Sequence, residues 1–128
     1  MIIGIDSSTS ICRLYFATGG DIQKIDWDIG RELADTLIPY LREQLNTRGM
    51  TWEDISGIVV CKGPGSFTGL RISLTVMNTI ADSKGIPIVG ESGDTWLEKA
   101  LKRLDAGEND QLVMPEYGRE PNITKPRK

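Results

Sequence analysis

Two stretches carry residue types that can do chemistry. One is Asp6-Ser7-Ser8-Thr9; the other is the turn Gly63-Pro64-Gly65-Ser66-Phe67-Thr68-Gly69, with Arg71 just beyond it. The apolar run Ile58 to Cys61 enters the turn as a buried strand, and an amphipathic helix over about Leu70 to Ser83 leaves it. A strand, a glycine-rich turn and a helix start can together hold an anion. The first N–H groups of a helix lack intrahelical partners and carry partial positive charge. Glycines let backbone approach a ligand, or other backbone, closely. Asp6, Ser7, Gly63, Gly65, Ser66, Thr68, Gly69 and Arg71 form the candidate anion-binding set.

The same residues suit a plain strand-to-helix turn, with Thr68 or Ser66 as N-cap and Asp6 capping its own turn. The pattern departs from the two best-known phosphate loops. Leu70-Arg71 stands where a P-loop needs Lys-Ser, and Thr68 stands where the dinucleotide fingerprint needs its third glycine. Arg71 opposes the helix dipole by roughly a few tenths of a kcal/mol, which calls for a carboxylate or an anion nearby. Ser66 has no visible base, so a nucleophilic serine is not expected.

With 0 histidines in 128 residues, the usual general base and the usual metal ligand are both missing. No metal and no cofactor are expected. The 2 cysteines, Cys12 and Cys61, fall inside strands and read as buried thiols. A net charge of −3 gives no electrostatic reason for direct nucleic-acid binding. No apolar run approaches the ~20 residues of a membrane span, and MIIGID lacks the features of a signal peptide. A cytoplasmic protein without membrane attachment is the expectation.

The elements that must position these residues follow from periodicity. Met1–Asp6 reads as a doubly buried strand. Ile11–Thr18 alternates, with Ile11, Arg13, Tyr15 and Ala17 on one face and Cys12, Leu14 and Phe16 on the other. Gly19-Gly20-Asp21 is a hairpin turn, and the more polar Ile22–Asp28 reads as a strand nearer an edge. Arg31–Arg48 is helical, with Leu33, Leu37, Ile38, Tyr40, Leu41 and Leu45 within an arc of about 160° and Pro39 inside it. Thr51 to Asp54 reads as a capping box. Residues 85–90 form a short buried strand, and 92–104 a third helix capped by Asp94 or Ser92. Residues 106–110 read as a polar linker, and 111–128 as an extended, partly disordered tail. The order β-β-β-α-β-α-β-α implies an α/β lobe with a five-stranded mixed sheet.

The helix after the turn is unusually apolar. Leu70, Leu74, Met77 and Ala81 make one ridge; Ile72, Val76 and Ile80 make a second, and together they span about 200°. Either this helix is wedged between the sheet and a neighbouring helix, or its second ridge meets another protein.

GIDSST at 4–9, GPGSFTGLRIS at 63–73 and Gly85-Ile86-Pro87-Ile88-Val89-Gly90 resemble the bacterial TsaB (YeaZ) family, in the right order over residues 1 to about 104. That family belongs with the ASKHA folds, the actin-like and sugar-kinase-like proteins. The resemblance implies a non-catalytic partner of TsaD. With TsaD and the ATPase TsaE, it supports the formation of N6-threonylcarbamoyladenosine in tRNA, which it meets only indirectly. The metal and active site would belong to TsaD. The implied partner interface lies on the first two long helices, at Leu33, Leu37, Tyr40, Leu41, Ile72, Val76 and Ile80. A homodimer through the same helices is the expectation without the partner. Two departures stand out. A histidine common in the family is replaced around Leu33. The chain also has room for one ASKHA lobe, residues 1–105, where the family has two. Residues 113–128 resemble the family's C-terminal end, so the second lobe is expected to be missing from the middle. A stand-alone anion- or nucleotide-binding protein is the competing expectation.

Overall fold

Side-chain alternation and short turns build the first half of the sheet. In the computed structural model, which describes residues 1–9, 11–28, 33–65 and 67–116, β1 (Ile2–Asp6), β2 (Ile11–Thr18) and β3 (Asp21–Asp28) form an antiparallel ribbon. Gly19 and Gly20 turn the β2–β3 hairpin with φ of 54° and 94°, values that glycine adopts without a Cβ clash. Then come α1 (Leu33–Thr47), a 3-10 turn (Trp52–Asp54), β4 (Gly57–Gly63), α2 (Phe67–Lys84), β5 (Ile88–Ser92) and α3 (Trp96–Asp105). β4 lies parallel to both β1 and β5, giving the sheet order β3-β2-β1-β4-β5. The mixed five-stranded sheet and the element order match expectation, and the polar β3 stands at an edge.

The sheet buries both faces. Ile3, Ile5, Leu14, Phe16, Ile58, Val60 and Ile88 pack with Leu37, Leu41 and Leu45 of α1 and Leu74, Met77 and Ala81 of α2. On the opposite face Val59, Cys61 and Val89 meet Trp96 and Ala100 of α3. Burial on both sides explains why β1, β4 and β5 read as near-continuous apolar runs rather than as alternation.

Several boundaries move. β5 begins at Ile88 and continues to Ser92, where pairing with Cys61 and Gly63 of β4 holds it extended. Gly93 then turns the chain at φ 86°, and α3 starts only at Trp96. Neither Ser92 nor Asp94 is the N-cap; Thr95 takes that place and makes no side-chain cap bond. α2 begins at Phe67, so Thr68 is already helical and is not the cap. Ser66 lies outside the described residues, as do Arg31 and Glu32 at the expected start of α1. The capping box is present: Thr51 Oγ1 accepts from Glu53 N, and Asp54 Oδ2 accepts from Thr51 N.

The largest difference follows α3. A linker and loose tail are expected from Ala106, yet residues 109–116 are tied down. Asp110 N donates to Ile88 O at 2.8 Å, Asn78 brackets Val113, and Glu116 N donates to Lys62 O at 2.7 Å. Residues 117–128 of the expected tail lie outside the described residues.

Candidate functional site

The anion-binding candidates divide between two places. Asp6 ends β1 on the α3 side of the sheet, and Gly63 ends β4. They border a polar cavity of about 450 Å³ with Arg13, Lys24, Asp94 and Trp96. Thr68 and Arg71 border a separate shallow groove of about 360 Å³ with Ile72, Thr75 and Val76. Among the described residues, these two places share none of the set's members.

Most of these groups serve their own fold. Asp6 Oδ1 accepts from Ser8 N at 3.0 Å and Ser8 Oγ at 2.6 Å, the turn-capping role. Ser7 is a correction to the anion set. It is 2% exposed; its Oγ donates to Gly69 O at 2.8 Å and lies 2.6 Å from Ser73 Oγ. No external anion can reach it. Gly65 lacks a Cβ because one there would collide with the Ser8 carbonyl, and a Cβ on Gly63 would meet the Glu116 carbonyl. The close approaches these glycines permit are thus chain against chain. Ser66 lies outside the described residues.

Burial pushes the thiols of Cys12 and Cys61 up to about 12, and the Asp6 carboxylate adds to the rise. Both cysteines are free and buried. Arg13 and Lys24 each approach Asp26, at 3.6 and 3.9 Å, within the surface range where ion pairs contribute little. Among the described residues no cluster of three or more His, Cys, Asp or Glu side chains could hold a metal ion, and no helix is long and apolar enough to cross a membrane.

The candidate interface residues also separate. Leu37 and Leu41 are fully buried beneath α1, so they are core residues and not surface. Leu33 opens α1, but its side chain is outside the described set. Tyr40 is half-buried and stacks on Trp27 of β3, ring centroids 3.8 Å apart and 8° from parallel. On α2 the first ridge, Leu70, Leu74, Met77 and Ala81, is buried. The second ridge, Ile72, Val76 and Ile80, is half-buried at the margin of the core. Part of its width is therefore covered by the lobe itself, and part faces outward. Ile80 borders a third shallow groove of about 400 Å³ with Ile38 and Trp52, and Ile38 is 42% exposed. Ile38 belongs to this outer face although its place on the apolar arc suggested burial.

Comparison with known proteins decides the family. The family model described as TsaD, tRNA N6-adenosine threonylcarbamoyltransferase, matches residues 28–112. The tRNA threonylcarbamoyladenosine biosynthesis protein TsaB of Escherichia coli (strain K12) is 30% identical over 91 residues, which is 71% of this chain and 39% of that protein. The chain belongs to the family of that model, and it is similar to TsaB (YeaZ) proteins. The solved structure of YeaZ from Pseudomonas aeruginosa superposes with a TM-score of 0.65 at 28% identity, covering 71% of this chain and 43% of that one. The transferase of the same family from Syntrophus aciditrophicus (strain SB) is 35% identical over 72 residues, 56% of this chain and 20% of that enzyme. The sheet and its likeness to YeaZ are those of an ASKHA-type lobe. The chain spans less than half the length of these relatives.

Proposed function

We propose that this chain is a non-catalytic TsaB-like subunit. It binds and supports a TsaD-like threonylcarbamoyltransferase in the N6-threonylcarbamoyladenosine modification of tRNA. The observation that carries this reading is the outer face of α2, where Ile72, Val76 and Ile80 remain half-exposed beside Ile38 after α1 has packed. In a family member, a helix that keeps an apolar ridge at the surface suits a protein partner. A TsaE-like ATPase joins through the complex, tRNA is met only indirectly, and the setting is cytoplasmic. The lobe of residues 1–105 supplies the docking helix, and residues 109–116 are tied back onto it. The same face serves a homodimer when no partner is present. Asp6 itself serves its own turn, accepting from the Ser8 N–H and hydroxyl.

The test is co-expression of this chain with TsaD-like and TsaE-like proteins from the same source, with modified tRNA as the readout. Modification that proceeds equally well without this chain would sink the reading. Ile72→Glu or Val76→Glu should abolish co-purification while the lobe stays folded.

A second reading, an anion-binding lobe, rests on the polar cavity at Asp6, Arg13 and Lys24. Calorimetry with nucleotide or phosphate at millimolar concentration separates the two, since the docking reading expects no heat of binding.

A further inference from the structure

We propose that residues 111–116 form a hinged strap whose closure regulates the α2 docking face. The regulatory half rests on the docking reading above; the strap itself does not.

The hinge is Gln111. Its φ of 68° makes it the sole non-glycine with positive φ among the described residues. It stands at a corner between two anchors. On one side Asp110 is fixed: its carboxylate pairs with Arg103 and accepts from Gly90 N at 3.0 Å. On the other side lies a catch. The Asn78 amide donates to Val113 O and accepts from Val113 N, each at 2.9 Å. One α2 side chain thus satisfies both backbone groups of one strap residue. Val113, 3% exposed, sits over Gly90, where any Cβ would collide with it. Glu116 completes the closure. Its N–H bonds Lys62 O, its carboxylate accepts from Ser92 Oγ at 2.7 Å, and its carbonyl covers Gly63.

The strap therefore crosses from β5 to α2 to β4, and downstream of the hinge it is held at separate points by the Asn78 bracket, the Val113 plug and the two Glu116 bonds. A segment with few buried contacts, anchored at separate points, opens locally without unfolding the domain.

Closure also shapes the surface. With Val113 pointing in, Leu112 and Met114 point out, at 61% and 65% exposure. Leu112, Met114 and Pro115 wall a groove of about 360 Å³ whose far side is Arg71, Thr75 and Thr79 of α2. Arg71 and Thr75 also border the groove at Ile72 and Val76, and Thr79 borders the one at Ile80. The strap is thus one wall of the same continuous face. Opening it withdraws Leu112 and Met114 from α2. A TsaD-like partner seated on that face binds the closed form, so partner binding and strap closure are linked.

The test is amide hydrogen exchange on the full chain and on Asn78→Ala, with partner affinity measured by calorimetry for both. The Val113 and Glu116 amides should exchange at one common rate, faster than those of Val59 and Val60 in β4. In Asn78→Ala both should exchange about tenfold faster, with Val59 and Val60 unchanged. The partner should slow the strap amides and bind Asn78→Ala several-fold more weakly. Strap amides that exchange at the rate of the sheet overturn the hinge. Faster exchange with equal partner affinity overturns the regulation and leaves docking intact. A wild-type chain that binds no partner overturns docking and regulation together, while exchange still decides the strap. Val113→Ala gives the same readouts should Asn78→Ala fail to fold.

Discussion

The hydroxyls of Ser7 and Ser73 lie 2.6 Å apart inside the lobe, and Ser7 donates to the carbonyl of Gly69 at 2.8 Å. Ser73 Oγ also reaches the Leu70 carbonyl at 3.4 Å, so each hydroxyl has a backbone acceptor and either can donate to the other. The pair clasps the end of β1 to the first turns of α2 and so fixes the angle at which the helix leaves the glycine turn.

Truncating either serine leaves a buried hydroxyl short of a partner. Ser73→Ala should cost about 1–3 kcal/mol by denaturant titration. The double variant Ser7→Ala/Ser73→Ala should cost less than the sum of the two singles, because the pair is removed together. Strict additivity would mean that the clasp is not a coupled pair.

Gly65 stands where the β1 and β4 loops touch. A methyl there meets the Ser8 backbone, which cannot swing aside as a flexible side chain would. Gly65→Ala should destabilise by about 1–3 kcal/mol, the usual cost of overpacking. A neutral Gly65→Ala in thermal unfolding would show that the two loops separate easily.

The thiols of Cys12 and Cys61 are held up to about 12 by burial, then by Asp6. An unfolded thiol ionises near its ordinary value of about 8.5. The folded state therefore holds these protons when the unfolded state has lost them. Stability is intact below that ordinary value and falls as the pH rises toward 12. Tyr15 and Tyr40, also raised by burial, act in the same direction. Denaturation midpoints from pH 8 to 11 should fall, and less steeply in Cys12→Ala/Cys61→Ala. Equal slopes would remove the cysteines as the cause.

Stability and docking should separate along the two long helices. Leu37 is fully buried, so Leu37→Ala should cost about 2–5 kcal/mol. Ile72→Ala removes a half-buried side chain and should cost less, while weakening partner capture in a pull-down. The reverse ranking would return Ile72 to the core and remove it from the docking face.

The sheet was legible because its signals are local: alternation in β2, the glycine hairpin, and apolar runs where both faces are covered. The polar residues of β3 marked it as an edge for the same reason. The two ridges of α2 were visible as well, but not how much of the second ridge α1 would cover. That depends on a packing angle that the sequence does not print. Leu37 and Leu41 share an apolar arc with Ile38, and only the position of the sheet puts the first two inside and the third outside. The anion set misled for a related reason. Glycines that admit a ligand and glycines that admit the protein's own backbone look alike until Ser8 and Glu116 are found against them. The docked segment 109–116 was hidden most deeply, since its backbone N–H groups make long-range bonds to Ile88, Asn78 and Lys62 that no periodicity announces.

Strand β5 is the last strand of the sheet, yet its outer rim is not open. The N–H and C=O of Ile88 are taken by the Asn109 side chain and the Asp110 N–H, and those of Gly90 by the Asp110 carboxylate and the Arg103 guanidinium. Three side chains and one backbone N–H thus complete a hydrogen-bond ladder that another strand would otherwise be free to complete. The same contacts that anchor the chain after α3 guard the molecule against edge-to-edge aggregation. At the other rim the charges of Asp21, Lys24 and Asp26 on β3 carry that duty.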